Sequence, residues 1–161
     1  LAEEGLPFNL AISLHAPADD LRREMMPVAR AYPLAELMRA CDYWFERTHR
    51  RITFEYALVK NKNSDAHCAA LLAKLLQGKN CHVNLIPVNP VKERGFSPGS
   101  TAQNRAFAAL LEKNGITATV RRRLGADIDA SCGQLRARLE QDRHHTAALD
   151  TKGAAQCSIT E

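Results

Sequence analysis

Large apolar residues alternate with small or polar ones in several short stretches of the chain. In residues 8–15, every second side chain from Phe8 to Leu14 is apolar, and Ser13 and His15 belong to the opposite face. A period of two is typical of a half-buried β-strand. The same kind of pattern predicts strands near 52–59, 82–88 and 116–121.

Between these strands the apolar residues recur at helical spacing. The stripe from Leu34 to Phe45 repeats every three or four residues, which predicts a helix with Met38 and Cys41 in the core. Similar stripes predict helices over 68–76 and 106–111, and residues 19–26 fit a short helix that ends before Pro27. We expect Asp19 or Asp20 to cap the short helix, Ser64 to cap the second long one, and Ser100 with Gln103 to form a capping box.

Strands and helices alternate along the chain at intervals of roughly 30–40 residues, as in βαβ units. This order predicts an α/β domain over residues 1–140. Its four parallel strands should be adjacent in chain order, with helices on one side. Residues 141–161 are polar and lose the periodicity, and we expect them to form a disordered tail.

The composition of the chain indicates the cellular compartment in which it works. The chain has 161 residues, five cysteines and a net charge of +4. The odd number of cysteines and their irregular spacing favour a reducing compartment such as the cytoplasm over a disulfide framework. We expect neither a signal peptide nor a membrane span, and the absence of an initial Met indicates a fragment of something longer.

Three polar clusters follow predicted strands, where function collects in parallel α/β folds. They are Ser13–Ala16, Pro87–Pro90 and a loop that holds Cys132 between acidic residues and Gly133. A thiol near arginines and a helix start tends toward the nucleophilic thiolate. Cys132 is therefore either a reactive cysteine or a small buried residue, and both readings stay open on this evidence.

The residues of these clusters resemble one family. Ser13–Pro17, Leu85–Pro90 and the cysteine motif Gly125–Leu135 occur together, in this order, as in the radical S-adenosylmethionine (SAM) RNA methyltransferases of the RlmN and Cfr type. These enzymes methylate adenine in ribosomal RNA (rRNA), and some also act on transfer RNA (tRNA). The resemblance covers residues 5 to 140. It implies a partial (βα) barrel of the radical SAM type.

The resemblance also implies roles for matching positions. Cys132 corresponds to the cysteine that carries the methyl group before a radical step transfers it to carbon 2 of adenine. Ser13, Leu14, His15 and Asn89 match SAM-binding positions. The implied cofactors are SAM and a [4Fe-4S] cluster, and the implied partners are 23S rRNA, tRNA and the missing N-terminal half of the same enzyme.

The chain departs from the family in one large respect. The three closely spaced cysteines that hold the cluster are absent from its 161 residues, and so is the second catalytic cysteine. We therefore expect no metal site in this chain and an inactive isolated fragment.

Two alternatives remain. One is a non-catalytic βα half-barrel that binds a nucleotide or RNA. The other is an unrelated α/β enzyme in which Cys132 is an ordinary nucleophile with His15 as its base. Arg121–Arg123 is either a solvated face or a contact to RNA phosphates.

Overall fold

The computed structural model describes residues 1–5, 7–89 and 96–122 of the chain. Within them, four strands form one sheet: β1 (Leu10–Ser13), β2 (Ile52–Leu58), β3 (Cys81–Pro87) and β4 (Ala118–Val120). All three pairings are parallel, and the spatial order is the chain order. The predicted parallel sheet is thus confirmed. The loop of Cys132 and the predicted tail 141–161 lie outside the described residues.

Helices connect the strands as the apolar stripes predict. They are α1 (Asp19–Met25), α2 (Leu34–Thr48), α3 (Ala66–Leu76) and α4 (Thr101–Lys113), with a short 3-10 helix at Pro27–Arg30. The described part of the chain contains no helix long and apolar enough to cross a membrane.

One face of the sheet carries the core. Along β2 and β3 every second residue is buried, because those side chains pack against α2, α3 and α4 in a single apolar cluster. Phe54 and Tyr56 of β2 are fully buried there, together with Phe107 of α4. The alternate residues stay half-exposed. Parallel sheets are usually covered on both faces and read as continuous apolar runs. The alternation therefore marks a sheet whose second face is open in the described residues, as in part of a barrel.

Two predicted helix caps are wrong, and the structure explains both. Asp19 lies inside the first turn of α1, and its Oδ1 instead accepts a hydrogen bond of 2.8 Å from the backbone N–H of Leu34, the first residue of α2. The cap of α3 is Asp65, which accepts from Cys68 N–H, while Ser64 donates to the carbonyl of Val59. The capping box of Ser100 and Gln103 is confirmed.

The first strand is shorter than predicted. It ends at Ser13 because the chain turns at the next two residues, and His15 has a φ of 60°. An L-residue in this left-handed region cannot continue a strand. The turn lifts His15 out of the ladder and places it at the carboxyl end of β1.

Candidate functional site

The backbone after β1 forms a tight turn around His15. The N–H groups of Leu14 and His15 both donate to the carbonyl of Glu55, at 3.0 and 3.3 Å, and the N–H of Ala16 donates to the carbonyl of Leu14 at 2.8 Å. The last of these bonds closes a three-residue turn with His15 at its centre. Turns of this kind with a positive φ are rare and strained, so surrounding contacts must hold them.

Two buried polar side chains supply those contacts. The Arg22 guanidinium, with 3% of the residue exposed, donates from Nε to the carbonyl of Leu14 and from Nη1 to the carbonyl of Tyr32. Asn63 is fully buried, and its Nδ2 donates to the carbonyl of His15 at 2.7 Å. These two side chains therefore hold the turn from the core side.

The imidazole of His15 is held in one orientation. Its Nδ1 accepts a hydrogen bond of 3.1 Å from the backbone N–H of Ala57 in β2. A nitrogen that accepts carries no proton, so the neutral ring has its proton on Nε2. Burial lowers the pKa of His15; the carboxylate of Glu55 raises it by a smaller amount, and the charge of Arg22 lowers it further. At neutral pH, His15 is therefore a neutral hydrogen-bond donor through Nε2.

A row of polar side chains crosses the open face of the sheet beside this turn. The strand register aligns Ser13, Glu55, Asn84 and Thr119 across all four strands. Within the row, Asn84 Nδ2 donates to Glu55 Oε2 at 2.9 Å. Nε2 of His82 and Oγ1 of Thr119 also share a hydrogen bond of 2.9 Å on the same face. This face offers hydroxyl, amide and carboxylate groups to a polar ligand.

The predicted site residues divide into three groups. Ser13, His15 and Asn89 all lie at the same edge of the sheet, since β1 and β3 are parallel and Asn89 follows Pro87 by two residues. The Leu14 side chain instead lies fully buried in the core, so it fixes the turn and offers a ligand no side-chain contact. Cys132 lies outside the described residues.

Three residues that shape this site have no distinguishing signal in the sequence. Arg22 resembles any other charged residue of a short helix, and Asn63 lies in the polar run Lys60–Asp65, which predicts only a loop. Glu55 stands on the polar face of a predicted strand. The register alone shows that it is a neighbour of Ser13 and Asn84. None of these pairings leaves a periodic signal.

The described cysteines differ from a reactive thiol. Burial raises the pKa of Cys41 to about 11, and burial together with the nearby Asp65 raises that of Cys68 to about 12. The pKa of Cys81 is also raised, again mainly by burial. These groups remain protonated thiols at neutral pH, which are poor nucleophiles and metal ligands. In the described ranges, no three His, Cys, Asp or Glu side chains are grouped so that they could hold a metal ion.

Comparison with known proteins agrees with this geometry. The chain is 56% identical over 138 residues to a probable dual-specificity RNA methyltransferase RlmN of Lachnoclostridium phytofermentans, a match that covers 84% of this chain and 38% of that protein. A protein of the same description from Caldanaerobacter subterraneus subsp. tengcongensis is 56% identical over 135 residues, covering 84% of this chain and 40% of that protein. No family model matches the chain.

Solved structures give the same picture. A radical SAM methyltransferase from Sphaerobacter thermophilus superposes with a TM-score of 0.79 at 47% identity, and the match covers 83% of this chain and 39% of that one. A domain of a pyruvate-formate lyase-activating enzyme from Bacteroides vulgatus has a TM-score of 0.57 at 17% identity, with 70% and 66% covered, and shows the fold alone.

The sheet, its open polar face and these superpositions define the chain as part of a radical SAM-type α/β fold. By its identity with the curated relatives, the chain belongs to the RlmN/Cfr type of radical SAM methyltransferases. It spans 38% to 40% of the length of the two relatives described above.

Proposed function

We propose that this chain is the SAM-binding C-terminal part of an enzyme that methylates carbon 2 of adenine in 23S rRNA and tRNA. Identity above 50% with proteins described as dual-specificity RNA methyltransferases supports the substrate class. The state of His15 supports the binding role. It is a neutral donor, fixed at the strand edge beside an open polar face.

The residues of this edge fit the cofactor. SAM is a nucleoside with ring nitrogens and hydroxyls that accept hydrogen bonds, and it also carries a cationic sulfonium. His15 Nε2–H is a donor for an acceptor atom, the Ser13 hydroxyl both donates and accepts, and the Asn89 amide does the same. Glu55 adds a carboxylate on the same face, at the register position beside Ser13. When bound, SAM supplies the methyl group and the radical chemistry that an unactivated aromatic carbon requires.

Cys132 is proposed as the residue that receives the methyl group. The family resemblance supports this role, and so does the contrast with the three buried cysteines, whose raised pKa values keep them protonated. A thiolate is the form that accepts a methyl group by displacement. Arg121–Arg123 precede Cys132 in the sequence and favour the thiolate by their positive charge, whereas Asp127 and Asp129 lie closer in the sequence and oppose it.

The residues present do not fit an iron–sulfur cluster. The cysteines that the structure describes are buried in the core, and the described residues contain no group of three His, Cys, Asp or Glu side chains that could hold a metal ion. We propose that the N-terminal part of the same enzyme holds the cluster, and that the isolated chain is inactive.

The state of His15 argues against Cys132 as an ordinary nucleophile with a histidine base. A base needs a free lone pair, and the lone pair of His15 at Nδ1 already accepts from Ala57 N–H. The Nε2 position carries the proton. His15 is therefore suited to donate a hydrogen bond to a ligand, and poorly suited to take a proton from a thiol.

The test uses a completed enzyme, defined as a fusion of this chain with the portion of the Lachnoclostridium phytofermentans relative that precedes the matched region. We expect His15→Asn to weaken SAM binding by about tenfold or more, because the variant loses one hydrogen bond in a partly buried site. Asparagine tolerates a positive φ, so the turn survives. Equilibrium dialysis measures the affinity, and His67→Asn on the exposed surface of α3 is the matched control. Unchanged affinity in His15→Asn would exclude the proposed role of His15.

A further inference from the structure

The Asn63 side chain joins the ends of two strands from inside the core. Its Nδ2 donates to the carbonyl of His15 at 2.7 Å and to the carbonyl of Ala57 at 2.6 Å, and its Oδ1 accepts from Val59 N–H at 2.7 Å. The opposite assignment of the amide would set an oxygen against two carbonyl oxygens and an NH₂ against an N–H. The network therefore has one satisfied orientation.

The loop that carries Asn63 is itself anchored to β2. The buried hydroxyl of Tyr56 donates to the backbone carbonyl of Asn63 at 2.9 Å, and the backbone N–H of Asn63 donates to the carbonyl of Val59. The side chain is 0% exposed. A fully satisfied buried polar network of this kind fixes one local conformation, because each alternative leaves a buried group unpaired.

Both residues whose carbonyls the Asn63 amide binds determine the state of His15. The carbonyl of His15 belongs to the residue in the left-handed conformation, where a non-glycine residue costs energy. Ala57, whose carbonyl the same amide binds, supplies the N–H that occupies Nδ1 of His15. One amide thus sets the backbone position of His15 relative to the group that selects its tautomer.

We propose that Asn63 is a positioning residue that acts through His15, by holding the imidazole so that Nε2–H faces the ligand site. This inference rests on the proposed function, in which His15 binds SAM. Asn63 touches no ligand. It acts by fixing the backbone turn and the hydrogen bond at Nδ1.

The proposal has a specific chemical requirement: two donors and one acceptor on one short side chain. In Asn63→Asp the carboxylate keeps the acceptor for Val59 N–H but loses both donors to the carbonyls of His15 and Ala57. Because the introduced carboxyl group is buried and no N–H group replaces the lost donors, its neutral acid form is favoured. The acid O–H then restores one of the two donors. The loss of SAM affinity in Asn63→Asp should therefore be smaller at low pH. Alanine has no titratable side chain, so Asn63→Ala should show no such pH dependence.

The experiment is a double-mutant cycle in the completed enzyme. SAM affinity is measured by equilibrium dialysis at about pH 6 and about pH 8.5, at a temperature where circular dichroism shows the variants folded. We expect Asn63→Ala to weaken binding by about tenfold. We expect the double variant with His15→Asn to bind no more weakly than His15→Asn alone, because a residue that acts through another has nothing left to act on. Asn63→Asp should bind more weakly at the higher pH than at the lower.

Leu76→Ala is the control for lost stability. Leu76 is fully buried at the end of α3, and its truncation costs about 2–5 kcal/mol without touching the network. Folded Leu76→Ala should bind SAM like the parent. Additive effects of Asn63→Ala and His15→Asn, or parent-like binding by both Asn63 variants, would overturn the proposal. Asn63 variants that never fold would also overturn it, since the amide would then serve the whole fold.

The outcomes also separate this inference from the proposed function. If His15→Asn binds SAM as tightly as the parent, the assigned role of His15 fails. If His15→Asn binds weakly and Asn63→Ala binds normally, only the positioning role fails.

Discussion

The backbone N–H of Ala57 donates a hydrogen bond of 3.1 Å to Nδ1 of His15 and joins the ends of two neighbouring strands. The bond fixes the neutral tautomer with its proton on Nε2. It exists because the turn after β1 places His15 at a φ of 60°, off the ladder and over the last residues of β2. A backbone group thus sets the chemical state of a side chain at the carboxyl end of the parallel strands.

This relationship predicts a pH dependence of stability. Burial lowers the pKa of His15 in the folded protein below its ordinary value of 6.5. Above 6.5 the ring is neutral in both states, and its contribution to stability is complete. As the pH falls below 6.5, the unfolded chain binds a proton that folded His15 resists, so stability decreases until the pH passes the folded pKa. We expect the apparent Tm of the completed enzyme to fall more steeply between pH ~7.5 and ~5 than that of His15→Asn.

The control for this measurement is His67→Asn, which removes an exposed histidine of α3. Its Tm should follow the parent over the same range. A parent and a His15→Asn variant with parallel Tm curves would contradict the buried, neutral state of His15.

The corrected cap of α3 gives a second prediction. Asp65 Oδ1 accepts from Cys68 N–H at 2.7 Å, and this hydrogen bond holds the pKa of Asp65 below its ordinary value of 3.8. Asp65→Ala should destabilise α3 by about 1 kcal/mol at neutral pH. The difference should persist above pH 3.8 and shrink as the pH falls through the lower, folded pKa, because the protonated acid is a weaker acceptor.

Amide hydrogen exchange in α3 measures this effect. Ser64→Ala is the matched variant, since Ser64 donates to the Val59 carbonyl and leaves the helix N–H groups untouched. We expect Ser64→Ala to destabilise α3 less than Asp65→Ala does, by an amount that does not vary with pH. A larger loss in Ser64→Ala than in Asp65→Ala would restore the cap that the sequence predicts.

The sheet and its long helices were predictable because they depend on apolar periodicity. Alternation over residues 52–59 places Phe54 and Tyr56 in the core, and the structure has both fully buried. The same pattern correctly puts Met38 and Cys41 on the buried side of α2. Such signals are repeated along an element, so one atypical residue does not erase them.

The polar contacts around His15 were not predictable for the opposite reason. Each is a single pairing between distant residues, such as Asn63 with His15 or Asp19 with Leu34. Asn61 and Asn63 are equivalent in the sequence pattern, yet Asn63 alone is buried. The motif could identify the edge of the sheet where the site is proposed. The residues that hold that edge in shape follow only from three-dimensional packing.

Exposed arginines after β4 give a third prediction. Arg121 and Arg122 are exposed, and Arg121 N–H extends the ladder by donating to the carbonyl of Leu85 at 2.8 Å. They stand at the same edge of the sheet as His15. If they contact RNA phosphates, replacing both by glutamine should weaken RNA binding and lower the slope of log affinity against log salt by about 1 for each residue.

Filter binding of an rRNA fragment over a salt series measures the slope. Arg39→Gln combined with Arg47→Gln on the exposed side of α2 changes the net charge equally, and should leave the slope close to that of the parent. Equal slopes for the two double variants would show that position has no effect and charge alone matters.

The last prediction concerns Cys132 in the completed enzyme. In the proposed reaction, an adenine stacked in folded RNA is out of reach, so the base would have to be splayed into a pocket that also holds SAM and the methyl-carrying thiol. Ser13, His15 and Asn89 stand at the strand edge, where the proposal places SAM. Cys132 follows β4 in the sequence and lies outside the described residues.

We expect Cys132→Ala to abolish methyl transfer to adenine while SAM affinity stays close to that of the parent, because in the proposed reaction the thiol receives the methyl group and the strand edge binds the cofactor. Mass spectrometry of the unmutated enzyme should find one added methyl on the peptide that contains Cys132. Cys41, Cys68 and Cys81 should carry none, since burial keeps them protonated, and Cys157 lies outside the cysteine motif and should carry none either. Cys41→Ala serves as the matched thiol control and should remain active. Methylation of adenine by Cys132→Ala, or a methyl group found on another cysteine, would show that a different residue carries it.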